Sequence, residues 1–251
     1  MREVFKNIKD NKPGEFRYRG RDAGRIENFS DAVFALAITL LLISTSPPTN
    51  FEQMKLFVWE LIPFSACITV IMLIWYQHFI FFYRYGLRNA TVLVINTAFL
   101  VIVLFYVYPL KYIAKGMLIP IAYLFDREEL LDQLIPMFVG IQIADLMIIY
   151  GLGYATVFII LAVMYRYAMK KAGELELNEI ESFDTRTSFT TNLMLSTVPI
   201  VSVIMAMIFY DNRYVGFYSG FSYFLYPPVM WIYGRMIDKK RKPLLESSAL
   251  S

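Results

Sequence analysis

Apolar runs alternate along the chain with short polar or charged connections. The hydrocarbon core of a bilayer takes about 20 residues of helix, so this pattern predicts an all-α membrane protein with six transmembrane helices. We see no internal repeat and no long linker, which favours a single membrane domain. The predicted spans are approximately Ile26–Ser46, Met54–Tyr85, Ala90–Tyr112, Ile135–Met169, Phe189–Phe209 and Tyr214–Ile237.

Two regions modify this simple pattern. The second run is long for one span, and Pro63 lies near its start, so we expect a tilted helix with a kink at the proline. The connection between the third and fourth runs contains the apolar piece Met117–Phe125. This piece is too short to span, and we interpret it as an interfacial or re-entrant segment.

The basic residues predict the orientation of the chain. Most of the 24 Lys and Arg residues fall on the side that carries both chain ends, and cytoplasmic loops of membrane proteins carry the excess of positive charge. We therefore expect a cytoplasmic N-terminal arm at 1–25, a transmembrane domain at 26–237 and a cytoplasmic basic tail at 238–251. The arm lacks the apolar core of a signal peptide.

Composition excludes several classes of protein. The chain of 251 residues is 57% hydrophobic and only 18% charged, with a mean hydropathy of +0.49. Soluble domains are less apolar and more charged, and disordered chains lack so many aromatic residues. The net charge of +3 is small and is not gathered into one basic stripe, so we expect no nucleic-acid binding. The single cysteine, Cys67, cannot form a disulfide within the chain.

The sequence also lacks the motifs of common membrane enzymes. Its one histidine, His78, excludes a two-histidine zinc site and an HExxH helix. A GxSxG elbow, a P-loop and a GxGxxG turn are all missing, as is the TVGYG filter of conventional potassium channels. We therefore expect no enzymatic activity, no catalytic residues, no metal site and no cofactor.

One polar cluster stands at the head of the first apolar run. Charged groups there normally pair inside the protein, although Arg25 alone could anchor in the lipid headgroups. Asp31 lies about one turn deeper, so an internal partner is expected. Trp75 and His78 share a face of the second span at the same depth and offer hydrogen-bonding groups. We predict a Ser30–Asp31–Trp75–His78 network, and we favour a structural clamp over a proton relay.

Helical phase separates this cluster from an apolar stripe on the same span. At 100° per residue, Ser30 and Asp31 point away from the stripe. If the stripe lines an axis, Asp31 bonds to a neighbouring helix of its own subunit instead of forming a ring of charge in a pore. The stripe consists of Phe29, Ala32, Leu36, Leu40 and Ile43, with the Thr39 hydroxyl on its flank.

This region resembles the signature of the transmembrane protein 175 family. Arg25-x-x-x-Phe29-Ser30-Asp31 is followed by Ala-x-x-Ala-Leu-Ala-Ile-Thr-Leu. The resemblance implies a potassium-permeable cation channel without a carbonyl-loop filter and with a weak preference over sodium. The length matches the single-repeat bacterial and archaeal members. It therefore implies a homotetramer in a plasma membrane, whose partners are copies of itself, the lipid bilayer, K⁺ and other monovalent cations.

The resemblance also implies roles for individual residues. Leu36 corresponds to the main hydrophobic constriction, which dewets the closed pore, and Ile43 to a further apolar ring. Leu40 lies on the same stripe and is assigned to the constriction with them. Thr39 corresponds to a threonine layer linked to potassium preference. The residues that would hold the pore helix are Arg25, Phe29, Ser30 and Asp31, with Trp75 and His78 as their contacts.

Two other functions remain as alternatives. A cation- or proton-coupled secondary transporter would use Asp145, in the fourth span, and His78 as coupling groups, but it usually has internal repeats. A non-conducting membrane scaffold is the third reading. Intramembrane acids are functional candidates, yet for Asp145 we favour a structural hydrogen bond. Asn96, in the third span, is expected to join helices.

Overall fold

The structure is a computed structural model that describes residues 16–43, 47–138, 143–212 and 214–250. Throughout these ranges the regular elements are helices, as the sequence predicts. They are α1 (Arg25–Ile43), α2 (Phe51–Trp59), α3 (Leu61–Tyr85), α4 (Ala90–Gly116), α5 (Leu118–Leu124), α6 (Glu128–Phe138), α7 (Ile143–Lys170), α8 (Glu179–Ile208), α9 (Val215–Phe221) and α10 (Tyr226–Leu250), with a 3₁₀ turn at Ser222–Leu225.

Five helical segments in the described ranges are long and apolar enough to cross a membrane. They coincide with the first five predicted spans, apart from their ends. The two longest each combine a pair of consecutive helices, α2 with α3 and α4 with α5. The segments are Arg25–Ile43, Phe51–Tyr85, Ala90–Leu124, Ile143–Lys170 and Glu179–Ile208.

The expected kink at Pro63 is instead a helix break at Glu60. α2 ends at Trp59 and α3 begins at Leu61, and the Glu60 N–H bonds to the Phe57 carbonyl at 3.0 Å. Proline has no N–H to bond four residues back and is tolerated in the first turn of a helix. The chain therefore starts a new helix just ahead of the proline.

The predicted starts of the fourth and fifth spans differ from the helix bounds in the structure. The fourth predicted span starts at Ile135, which lies in α6, and its remaining described part is α7 from Ile143. Residues 139–142, between these two helices, lie outside the described ranges. α8 begins at Glu179, within the predicted hydrophilic connection, because a capping box starts it early. The Asn178 side chain accepts from the Glu181 N–H at 2.8 Å, and the Glu181 carboxylate accepts from the Asn178 N–H at 3.1 Å.

The last predicted span is not one continuous helix. α9 and a 3₁₀ turn precede α10, whose first turn contains Pro227 and Pro228. Proline favours the first positions of a helix, so the pair starts α10 instead of interrupting it. α10 then continues through residue 238, where the sequence suggested the start of a separate tail.

α1 packs against α3 and α4, and α4 in turn packs against α7. α7 and α8 form the most extensive helix pair, with α9 and α10 against α8. The buried face of α1, which includes Phe34, Ala37 and Leu41, joins one continuous hydrophobic core with α3, α4 and α7. This packing fixes which face of α1 turns outward.

Candidate functional site

α1 has one packed face and one unpartnered face. Only 28% of the residues in its apolar 18-residue stretch are buried within the chain. Leu36 is 50% exposed and Ile43 is 70% exposed, and Phe29 and Thr39 are exposed on the same side. The residues of the predicted stripe therefore form an apolar surface that one chain alone does not cover.

Leu40 differs from the rest of the stripe. It is half-buried and packs against the core. The exposed arc of α1 is centred on the Thr39 side of Leu36, so Leu40, on the opposite flank, turns inward. The Thr39 hydroxyl donates to the Ala35 carbonyl at 2.9 Å, which leaves its oxygen free to accept.

The predicted contact between the first two spans is present. The Trp75 indole N–H donates to the Asp31 carboxylate at 2.8 Å. Trp75 also stacks on Phe79, one turn further along α3, with ring centroids 5.5 Å apart. Asp31 is exposed on α1 but is held by a neighbouring helix of its own chain, as the helical phase predicts.

His78 joins this region through a residue that the predicted network left out. Its Nε2 lies 2.7 Å from the Asn96 side-chain oxygen, and the Asn96 amide donates to the Ser30 hydroxyl at 2.9 Å. The predicted network is therefore two separate sets of bonds, and Asn96 on α4 links Ser30 to His78. Because the amide oxygen only accepts, the Nε2 atom of His78 carries the proton in this arrangement.

The Ser30–Asn96–His78 chain is enclosed by protein. His78 is 1% exposed and stacks on Phe99 with an interplanar angle of 8° and centroids 5.1 Å apart. Ser30 also donates to the Ile26 carbonyl at 2.8 Å. Three helices, α1, α3 and α4, thus meet through hydrogen bonds that are shielded from solvent, which is the geometry of a clamp.

Glu27 anchors the base of α1, and the sequence reasoning missed it. The side chain is 3% exposed, accepts a hydrogen bond from the Gly24 N–H, and pairs with Arg88 at 3.3 Å. The available signal was its place at the third position of the helix, where a glutamate reaches back to the helix start. The Arg25 side chain, by contrast, is exposed, and no hydrogen bond joins it to another described residue.

The segment just before α1 is fixed to the start of α8. Arg17 and Arg19 each place a guanidinium nitrogen 2.9 Å from the fully buried carboxylate of Glu181. The hydrogen bond to Glu181 raises the pKa of the Arg17 guanidinium above its ordinary value. The backbone N–H groups of Arg19 and Gly20 also bond to the end of α3 at 3.1 and 3.0 Å.

Asp145 lies apart from this network. The Tyr210 hydroxyl is 3.0 Å from both of its carboxylate oxygens, which joins α7 to the chain segment after α8. The structure does not connect Asp145 to His78 by hydrogen bonds among the described residues. The same residues contain no group of three or more His, Cys, Asp or Glu side chains that could hold a metal.

Known proteins resemble this chain over nearly its whole length. The family model described as "Endosomal/lysosomal potassium channel TMEM175" matches residues 25–106, which include α1, Trp75, His78 and Asn96. A protein of Marivirga tractuosa named "Potassium channel" is 40% identical over 247 residues, covering 98% of this chain and 100% of that protein. The chain belongs to the TMEM175 family. The Marivirga tractuosa relative is a bacterial homologue that matches the chain from end to end.

The similarity extends to the three-dimensional fold. A crystal structure of a variant of the potassium channel MtTMEM175, in complex with a nanobody–MBP fusion protein, superposes with a TM-score of 0.78 at 38% identity. The match covers 91% of this chain and 99% of that one. The TMEM175 fold therefore accounts for the elements after residue 106 as well as for α1.

Proposed function

We propose that four copies of the chain form a cation channel that conducts potassium, with α1 of each copy lining a central pore. The observation that carries this proposal is the uncovered stripe of Phe29, Leu36, Thr39 and Ile43 on a helix whose other face is locked into the subunit. The potassium channels among its relatives support the same function. Besides the other copies of the chain, its partners would be the lipid bilayer and monovalent cations. The channel would need no cofactor.

We further propose six transmembrane segments, both termini in the cytoplasm, and a bacterial or archaeal plasma membrane. The sixth segment would be the apolar stretch at 214–237, in which α9 and the start of α10 follow one another. The excess of basic residues at both chain ends supports this orientation. An odd number of spans would place one basic end on the opposite side.

The proposed gate is a ring of four Leu36 side chains. Apolar constrictions close pores to ions by excluding water. Ile43, about two turns further along α1, would form a second apolar ring, and Leu40 would support Leu36 from its half-buried position. To open the pore, the α1 helices must rotate or move apart, so that these side chains leave the axis.

Thr39 supplies the proposed preference for potassium. Its hydroxyl hydrogen is used by the Ala35 carbonyl, so four hydroxyl oxygens would be available as acceptors for a partly dehydrated cation. Such a site gives only partial compensation for lost water. It therefore favours potassium, which loses its hydration shell more easily than sodium, without a filter of backbone carbonyls.

The contacts at the inner half of α1 set the direction of the stripe. Asp31 is held by Trp75, while Ser30 is held by Asn96, so two neighbouring helices fix the rotation of α1 from one side. Burial of Phe34 and Ala37 adds the packing contribution. With that side fixed, Leu36 points away from the subunit.

Disulfide cross-linking tests the proposed assembly. Leu36→Cys, in a background with Cys67→Ser, places one thiol per chain on the stripe. Bridging requires Cα atoms within about 7 Å, so cross-linked pairs are expected upon oxidation in membranes only if α1 helices meet. Leu73→Cys, on α3 and 61% exposed, is the matched control and should not cross-link. Equal cross-linking of both variants would contradict a pore lined by α1.

Flux measurements separate a channel from the transporter alternative. We expect discrete single-channel currents from the purified protein in planar bilayers. A coupled transporter using Asp145 and His78 would give a slow flux that saturates with substrate and stops when either residue is replaced. That result would refute the channel.

A further inference from the structure

A cavity of about 230 Å³ opens between α8 and α10 at the end of the bundle that carries the basic residues. Its walls combine three kinds of side chain. The cations are Arg186 and Lys240, and hydroxyl groups come from Thr187 and Tyr233. Phe183 and Met236 are among the apolar groups. This combination suits a ligand with an anionic head and an apolar body.

The two cations of the cavity have no partner among the described residues. The acidic groups nearby on α8 are already neutralised. Asp184 receives two hydrogen bonds of 2.8 Å from Arg241, and Glu181 is held by the segment before α1. Glu179 lines the adjacent cavity, which shares Arg186, but not this one. Arg186 and Lys240 therefore bring two positive charges to one small space whose lining contains no carboxylate.

The position of the cavity matches the membrane–water boundary. Arg186 lies just ahead of the apolar part of α8, which begins near Phe189. On α10, the Arg235 guanidinium lies 3.9 Å from the centre of the Trp231 ring. Tryptophan, tyrosine and basic side chains are typical of the interface where lipid headgroups lie.

We propose that this cavity binds the headgroup of an anionic phospholipid of the cytoplasmic leaflet. The phosphate would lie between Arg186 and Lys240, with the hydroxyl groups of Thr187 and Tyr233 as further donors, and the acyl chains would leave over Phe183. Basic pockets between helices on the cytoplasmic side commonly recognise such headgroups. The assignment to the cytoplasmic leaflet rests on the orientation given under the proposed function.

Lipid binding to the purified full-length protein in a neutral detergent tests this site. Native mass spectrometry would measure the affinity for phosphatidylglycerol and for phosphatidylcholine. The variant Arg186→Gln with Lys240→Gln removes both cations. Each basic residue contributes about 1 kcal/mol near an anionic headgroup, so this variant should bind phosphatidylglycerol roughly 30-fold more weakly.

The matched control removes two positive charges from a part of α10 outside the cavity. Lys239→Gln with Lys242→Gln changes two exposed residues of α10 that do not line the cavity, and its affinity should equal that of the wild type. Arg186→Lys with Lys240→Arg should retain binding, which distinguishes lost charge from lost folding. Equal weakening in the control, or no weakening in the variant, would overturn the site.

Two ligand comparisons complete the test. Equal affinity for phosphatidylcholine would refute headgroup recognition, because that lipid is neutral overall. Inorganic phosphate at millimolar concentration should not displace phosphatidylglycerol, and full displacement would assign the site to a free anion instead of a lipid. The readout needs no ion conduction, so a negative result here leaves the channel proposal standing, and a non-conducting protein leaves this proposal standing.

Discussion

Replacing Asn96 by leucine tests the clamp between α1, α3 and α4. Leucine has the same branching and the same number of side-chain heavy atoms, so the substitution removes the hydrogen bonds to Ser30 and His78 without opening a cavity. Interhelical hydrogen bonds in membranes contribute about 0.6 kcal/mol each and up to about 1.7 kcal/mol. The enclosed N–H of His78 would also lose its acceptor, which costs about 1–3 kcal/mol. We expect Asn96→Leu to lower the free energy of unfolding by about 2–4 kcal/mol.

Unfolding of the purified protein by a denaturing detergent measures this loss, and a double-mutant cycle with Ser30→Ala isolates the pair. The two residues share a hydrogen bond of 2.9 Å, so a coupling energy of about 0.5–1.5 kcal/mol is expected. Thr97→Val is the control, because Thr97 is exposed and bonds only within its own helix. Wild-type stability in Asn96→Leu, or a coupling energy near zero, would refute the clamp.

Three further substitutions probe the supports of α1, each measured by thermal unfolding in detergent. Trp75→Phe keeps an aromatic ring at this position but loses the 2.8 Å bond to Asp31, so it should cost at least about 0.6–1.7 kcal/mol, whereas an unchanged midpoint would mean that the bond contributes nothing. Gly20→Ala should lower the midpoint clearly, because an added Cβ would lie 2.0 Å from the Phe82 carbonyl oxygen; tolerance of alanine would show that this approach is looser. Glu181→Gln should cost about 1–3 kcal/mol, which is less than for a fully buried ion pair, because its arginine partners are partly exposed. Because the carboxylate is buried, high salt should not lower the stability of the wild type to that of the variant, and an equal loss in high salt would contradict this explanation.

The helical architecture and the orientation of α1 follow from sequence because they depend on local periodicity. Apolar runs of membrane length identify the five long segments, and the phase of Leu36 relative to Asp31 separates the uncovered face from the face that bonds to Trp75. Both depend on the regular 100° rotation per residue. Leu40 shows the limit of this approach, since packing against α3 and α4 decides how far the uncovered arc extends.

The other differences come from interactions that periodicity does not contain. Asn96 is far from Ser30 in the chain, so only tertiary packing brings it between Ser30 and His78. The early start of α8 depends on a capping box at Asn178, a local signal that hydropathy alone hides. The ion pairs of Glu181 join segments more than 150 residues apart, and no sequence pattern selects the arginines that it binds.

The position of the gate is tested most directly by ion selectivity and conductance measured together. Purified protein in a planar bilayer would be studied with potassium on one side and sodium on the other, for the wild type, Leu36→Ala and Leu42→Ala. Leu42 is the matched control, because it is a leucine on the same helix with 53% exposure, against 50% for Leu36, but lies off the stripe. The proposal predicts wild-type currents that reverse toward the potassium equilibrium potential. It also predicts a clear gain of current in Leu36→Ala and none in Leu42→Ala. Absence of current in all three proteins, or the same gain in both variants, would contradict a potassium channel gated at Leu36.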